Sequence, residues 1–504
     1  MKSEVGAAEQ AMTQAASYQE WLDAARSFDA QYGLNRWQRD KQCDDYDYRL
    51  IASRVALIRR LRRQKDYDQL TFSLREELHR NLGNVDNPVL YRHAKSGTKK
   101  LIDDFVNEVT GALTDMCDAD FTLLPPMIKR RFFKRAARSF GRSALLLSGG
   151  ASLGLFHVGV VAELHEQGLL PRVLAGSSVG SIIGGVIATH TDTELAERLR
   201  AENVDFEWNR LMGVQDAVKA GSLMDQSVLR RSIDSNIPDL TFIEAYEKTR
   251  RILNISVSPS DRHQFPRLLN YLTAPNVLIR NAVLASCAIP GVFPPVQLRA
   301  RNYAGRSVAH LPQSRWIDGS VHDDVPKDRV NRQHNVNHYI VSQTNPHVVP
   351  FLSKEIEQSG VVPFIHGLLV RSPMIQLEHV LDLVDRNFDL PGVNSIVRAA
   401  HAVVRQDYSG DITIYPARRA PGLGRIFANP NPTQVAKLLQ EGRRATWPHI
   451  ERIRNATQIS RTFDACLYRL SARYRFVRRR LAGSAPPPGM AGRTFHSGGR
   501  GTDA

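Results

Sequence analysis

The sequence predicts an α/β fold, a mostly parallel sheet with helices on both faces, set between a helical N-terminal region and a helical, basic C-terminal region. Three observations predict it. From Ser143 onward, short apolar runs alternate with glycine turns and helical patterns in strand-helix-strand-helix order, the mark of a parallel sheet buried on both faces. From Tyr18 to about Thr122, apolar residues recur three and four apart, as in YRLIASRVALIRRLRRQ, with few β-branched runs. From about residue 430 the helical pattern returns. A chain of 504 residues also exceeds what one hydrophobic core usually serves, so a main domain with accessory regions is expected.

Taken in order, residues 1–16 are read as a disordered N-terminus, without the apolar core of a signal peptide. Residues 17–126 form a helical accessory region that Pro125 and Pro126 punctuate. Residues 127–142, MIKRRFFKRAARSFGR, hold seven Lys/Arg and no acid, with Phe132, Phe133 and Phe140 interleaved, and read as a basic amphipathic linker helix. The main domain spans 143–346. Within it, ALLLS is a short buried strand, GGASLG a glycine turn, LFHVGVVAELHEQG a helix and LLPRVLA a second strand. A helix from about Val179 to Thr189 follows, then strand runs at 251–259, 315–318 and 338–343. Residues 347–482 are read as a mostly helical extension that contains one strand run, DITIYP (411–416), and 483–504 as a disordered tail.

A net charge of +16 calls for an anionic partner, either nucleic acid or an anionic membrane surface. Beside the 127–142 stretch, residues 467–502 carry eight Arg and no acid. Both suit a helix lying on phospholipid headgroups, and both equally suit a solvated helix face. With no zinc-finger, homeodomain-like or RNA-recognition signature beside this charge, nucleic acid is not an expected partner. The four cysteines, Cys43, Cys117, Cys287 and Cys466, lie far apart and read as reduced thiols of a cytosolic protein. No run reaches the ~18 apolar residues of a spanning helix, so any membrane contact is expected to be peripheral.

The chemistry concentrates at LAGSSVGSIIG (174–184). Gly176, Ser178 and Gly180 make a G-x-S-x-G turn between an apolar strand and a helix, the context that holds a nucleophilic serine on a strained, exposed point. The rival reading is an ordinary βα turn with Ser178 capping the helix. Ser177 and Ser181 are read as small bystanders. Such a serine needs backbone amides aimed at a developing oxyanion, and the Gly149-Gly150-Ala151 loop follows the first strand and opens a helix. It lacks the Gly-Lys-Ser/Thr of a phosphate loop and the G-x-G-x-x-G of a dinucleotide turn. The serine also needs a base. No histidine sits in a distinctive motif, whereas RWIDGSVHDDVP puts Asp318 at the end of a short strand before a glycine turn, where it acts either as base or as turn cap.

These residues resemble the patatin-like phospholipase family: a glycine loop after the first strand, G-x-S-x-G at the elbow, Asp-Gly further on, and ASCAIPGVFPPV (285–296). Two details depart from the common pattern: Ala151 stands where many members have a third glycine, and Gly-Ser follows the aspartate. SYQEWLDAARSFDAQYG, LREELHRNLGNVDNPVLY and SGTKKLIDDFVNEV are similar to the helical (DUF3336-type) region of a branch that includes triacylglycerol lipases of yeast lipid droplets and plant oil bodies. The likeness runs over roughly 17–460 through LNISVSPS, QDYSGDITIYP and GRRATWPHIERIRNAT.

The resemblance implies a patatin-like α/β/α sandwich and a Ser-Asp dyad, with Ser178 as nucleophile, Asp318 as base, and the oxyanion held by the backbone of Gly149, Gly150 and Ala151. It implies ester hydrolysis through an acyl-enzyme with no metal or organic cofactor. The expected activity is that of a triacylglycerol lipase, its lipid substrate (acylglycerol or phospholipid) met at a membrane or lipid-droplet surface, with the 127–142 stretch and VVPFIHGLLV (361–370) as candidate contacts. A phospholipase A or lysophospholipid acyltransferase on the same dyad, and a non-catalytic membrane-binding protein, are the alternatives.

Overall fold

A computed structural model describes residues 2–119, 126–200, 224–260, 265–290, 292–320, 324–345, 408–417 and 429–483. Its centre is a seven-stranded sheet built from Arg142–Leu147 (β1), Val173–Gly176 (β2), Ile252–Pro259 (β3), Arg267–Leu269 (β4), Trp316–Asp318 (β7), Val336–Ser342 (β8) and Ile412–Ile414 (β9). Arg299–Arg301 (β5) and Ser307–Ala309 (β6) form a separate hairpin. The order is β4-β3-β2-β1-β8-β9, with β7 also paired to β3. β1, β2, β3, β8 and β9 run parallel, and β4 and β7 lie antiparallel to β3. All eight residues of β3 are buried. Two-sided burial is also why β1 reads as the continuous apolar run ALLL, whereas in β3 the buried polar residues Asn254, Ser256 and Ser258 alternate with apolar ones.

The chain leaves β1 toward β2 on one side, and β8 joins β1 on the other. The carboxyl ends of β1, β2 and β8 therefore border the crevice where open α/β sheets present their working groups. Helices Leu155–Glu166 and Val179–Thr189 cover the sheet, and every residue of the second is buried.

The extension predicted as separate belongs to this sandwich. β9 extends the sheet beside β8, and helix Pro432–Thr446 presses on helix Leu155–Glu166 so closely that a Cβ at Gly159 would stand 2.0 Å from Leu439 O. Tyr18, Trp21, Leu22 and Ala25 of helix Tyr18–Gln31 join the same core. The predicted boundaries at 126 and 346 follow changes of sequence texture, which track local periodicity and carry no information about which faces pack together.

Two further expectations are corrected. Lys2–Gln14 is helical, not disordered. Its Ala-rich sequence favours helix, Ala8 and Ala15 are buried, and Arg444 donates to the terminal carbonyls of Thr13 and Ala15. In helix Pro126–Phe140 the side chains of Phe132, Phe133 and Phe140 are buried, not free to enter a bilayer. Phe133 and Phe140 meet Phe463 of the long helix Ile450–Gly483 at ring-centroid distances of 6.3 and 6.0 Å. An apolar stripe of this spacing fits a protein core and a lipid surface equally well, so sequence could not choose. The opposite face keeps Arg130, Arg131, Lys134, Arg135 and Arg138 exposed.

Around these aromatic rings a second core joins Tyr48–Gln64 and Lys100–Asp118 to the long C-terminal helix. Part of the C-terminal positive charge is used inside the fold, since Arg469 and Arg473 both bond Asp118. Among the described residues no helix is long and apolar enough to cross a membrane. The segment 361–370 and the tail 484–504 lie outside the described residues.

Candidate active site

β2 ends at Gly176 and the next helix begins at Val179, so Ser178 occupies the bend, with φ 49° and ψ −126°. Conformations of this kind cost a non-glycine residue on the order of 1–3 kcal/mol and persist only where the surroundings enforce them. Here the glycines permit the approach and hydrogen bonds hold it. A Cβ on Gly176 would sit 2.3 Å from Gly180 O, and one on Gly180 would sit 2.1 Å from Leu147 O. The Ser178 amide donates to Ser286 Oγ (3.0 Å), which donates in turn to Ser256 O on β3 (2.8 Å).

Ser177 and Ser181, expected as bystanders, are part of this brace. The Ser177 hydroxyl donates to Asp324 O (2.9 Å) and the Ser181 hydroxyl to Ser178 O (2.6 Å). Ser178 stands at the N-cap position, yet its side chain makes no capping bond. The capping reading of that residue has no support in the geometry.

Asp318 ends β7 opposite Val257, and its amide donates to Ala288 O (3.0 Å). Gly319 follows because a Cβ there would meet Ser256 O at 2.2 Å. The carboxyl group is fully buried. Its Oδ1 accepts the Ser320 amide at 2.8 Å, the turn-capping role allowed by sequence. Its Oδ2 has no hydrogen-bond partner among the described residues. Burial raises the Asp318 pKa from 3.8 to about 6, against the opposing pull of Ser320 and of the Ser178 hydroxyl. The Ser178 hydroxyl is thus near enough to act on the carboxyl without forming a hydrogen bond to its Oδ2.

The glycine loop closes the third side. A Cβ on Gly149 would lie 3.6 Å from Ser178 Cβ and 3.4 Å from Ser320 Cβ, so loop, elbow and Asp-Gly-Ser turn converge on one point. The three amides predicted as oxyanion donors are not equivalent. That of Gly149 already donates to Asp324 Oδ1 (2.8 Å), whereas those of Gly150 and Ala151 have no protein acceptor among the described residues. Ala151 takes φ 48°, the conformation for which a third glycine would be the unstrained choice.

Among the described residues no histidine hydrogen-bonds Ser178 or Asp318. Buried His157 instead joins Ser148 O (3.0 Å), Ser342 Oγ (2.7 Å) and Thr344 Oγ1 (3.1 Å), tying the segments after β1 and β8 together. Burial lowers its pKa to about 4 and keeps the ring neutral.

Residues 145–329 match the family model described as "Patatin-like phospholipase", and residues 1–138 match "Domain of unknown function (DUF3336)". Triacylglycerol lipase ptl3 of Schizosaccharomyces pombe is 35% identical over 479 residues, covering 92% of this chain and 97% of that one. The chain belongs to the patatin-like phospholipase family. It is a carboxylic ester hydrolase. Triacylglycerol lipase 5 of Saccharomyces cerevisiae is 35% identical, covering 88% of this chain, and triacylglycerol lipase SDP1L of Arabidopsis thaliana is 34% identical, covering 90%. Of these two relatives the chain spans only 62% and 58%.

In this patatin-like chain the residue that sequence reasoning missed is Asp324. Its carboxylate holds Gly149 through Oδ1 and accepts Asn345 Nδ2 through Oδ2 (3.0 Å), while its carbonyl holds Ser177. The signal was present in the doubled acid of HDDVP, but nothing in its spacing separated a buried brace from a solvated loop charge.

Proposed function

We propose that this protein is a triacylglycerol lipase that cleaves its ester through a Ser178–Asp318 dyad. The observation that carries the reading is a strained serine beside a buried carboxyl that keeps one oxygen without a partner. Ser178 attacks the ester carbonyl and Asp318 Oδ2 takes its proton, help that is typically worth ~10²–10⁴-fold. The Gly150 and Ala151 amides stabilise the tetrahedral oxyanion, while Gly149 fixes the loop through Asp324. Asp318 then returns the proton to the leaving alcohol, and water clears the acyl-enzyme.

Acylglycerol as substrate is supported by the names of the three relatives, and phospholipid by the description of the family model. Such substrates are met at a lipid surface, so the protein docks peripherally on a membrane or lipid droplet, facing the cytoplasm. Exposed Phe265 supports this, because it lies two residues before β4, whose antiparallel pairing with β3 puts that start at the carboxyl end of β3, the same end of the sheet as Ser178.

The test compares wild type, Ser178→Ala and Asp318→Asn on emulsified triolein, on phosphatidylcholine vesicles and with a fluorophosphonate probe. Wild type alone should release oleate from triolein, and probe labelling should vanish in Ser178→Ala. Equal labelling of wild type and Ser178→Ala would remove Ser178 as nucleophile, and faster release from phosphatidylcholine would reassign the substrate.

A further inference from the structure

The end of the sheet opposite Ser178 holds a second concavity. There the amino ends of β1, β2 and β3 deliver Arg142, Arg172 and Arg251 to a cleft of about 470 Å³, closed on its far side by Arg461 and Asp464 of helix Ile450–Gly483. An adjoining hollow of about 440 Å³ shares Arg142, Arg172 and Asp464 and adds Arg130 and Arg250. Six arginines therefore face two acids, Asp192 and Asp464.

Both acids are already engaged. Asp464 pairs with Arg142 at 3.1 Å, and Asp192 pairs with Arg251, which also donates to Ile187 O and His190 O. Arg130 reaches Ser471 Oγ, and Arg250 lies over the Tyr246 ring. Arg172 and Arg461 remain, both exposed and both without an acidic partner among the described residues. Cations that outnumber the acids in a concave site raise the local potential and concentrate anions, and guanidinium groups match phosphate oxygens in particular.

A bilayer in contact with the Ser178 rim cannot also fill this cleft, because six-residue β1 separates the two ends by about 20 Å. We infer that the cleft is a second ligand site, distinct from the ester-hydrolysing one, that binds a multiply charged phosphate-bearing anion between Arg172 of the sheet and Arg461 of the C-terminal helix. The ligand bridges the catalytic sheet and the helix that anchors the accessory region. Its chemistry is common to soluble phosphometabolites and to phosphomonoester lipid headgroups.

The experiment titrates the full chain with inorganic pyrophosphate by calorimetry, and in parallel measures retention on phosphatidylcholine vesicles with and without phosphatidic acid. The variants are Arg172→Glu/Arg461→Glu and Ser178→Ala. Binding should be saturable, weaken with salt, be unchanged in Ser178→Ala, and fall about tenfold or more in the double variant. Hydrolysis of a short-chain nitrophenyl ester without added anion should be the same in the double variant as in wild type, which also reports that it folds. Pyrophosphate binding that is lost in the double variant supports a soluble ligand, and phosphatidic-acid-dependent retention that is lost in it supports a headgroup. Undiminished binding by the double variant, loss of binding in Ser178→Ala, or no binding of either probe would overturn the inference.

Discussion

The Gly149 amide donates to Asp324 Oδ1 at 2.8 Å, and the Asp324 carbonyl accepts the Ser177 hydroxyl at 2.9 Å. One buried carboxylate residue therefore couples the glycine loop to the serine elbow. Asp324→Ala should strand the Gly149 amide and the Asn345 side chain, each at about 1–3 kcal/mol, and should lower kcat with little change in KM. Asp324→Asn, which keeps an oxygen for Gly149, should recover part of both losses. Urea denaturation and steady-state ester hydrolysis measure the two effects.

In its proposed role as base, Asp318 should make the activity and the stability respond to pH in opposite directions. A base must be ionised to accept a proton, so kcat/KM should rise with pH through an apparent pKa of about 6. Because burial raises that pKa from 3.8, the native state holds the proton more tightly than the unfolded chain does. The stabilising contribution is complete below pH 3.8 and is lost as pH climbs through about 6. The stability of Asp318→Asn relative to wild type should therefore grow between pH 4 and pH 7, by on the order of 2–3 kcal/mol. Chemical denaturation at several pH values would reveal a flat difference if the carboxyl were not perturbed.

Ser178→Gly should abolish ester hydrolysis while raising stability by about 1–2 kcal/mol, since glycine accepts φ 49°, ψ −126° without strain. A stability equal to that of Ser178→Ala would mean that the bend stores no strain.

Gly180→Ala should fail to give folded protein or cost roughly 3 kcal/mol or more, because its Cβ would land 2.1 Å from Leu147 O, a strand carbonyl that cannot move aside. Yield and circular dichroism report it.

Phe133→Ala should cost about 3–5 kcal/mol, because the ring is fully buried against Phe463. Reversing Arg131 and Arg135 on the exposed face of the same helix should change stability by no more than about 0.5 kcal/mol. Thermal unfolding of the two variants separates a core role from a surface role within one helix.

The serine elbow was legible because its constraints are local: two glycines, a strand before and a helix after are all contained in LAGSSVGSIIG. The strand run near 142–147 was legible for a similar reason, since two-sided burial leaves the continuous apolar stretch ALLL, whereas buried Asn254, Ser256 and Ser258 interrupt the run at 252–259. Asp324 was not, because its meaning depends on Gly149, 175 residues away, and on Asn345. The burial of Phe133 and Phe140 was not legible either, because their partner Phe463 comes from a helix more than 300 residues later. Periodicity says which side of a helix is apolar and is silent about what it touches.

β8 and β9 come after residue 329, yet β8 pairs with β1 along its whole length. A fragment cut at the limits of the patatin match would expose the amide and carbonyl groups of a central strand, a template for edge-to-edge aggregation. What sequence comparison recognises as a module should therefore not fold autonomously, and attempts to graft or express it alone should yield insoluble material unless the later strands travel with it.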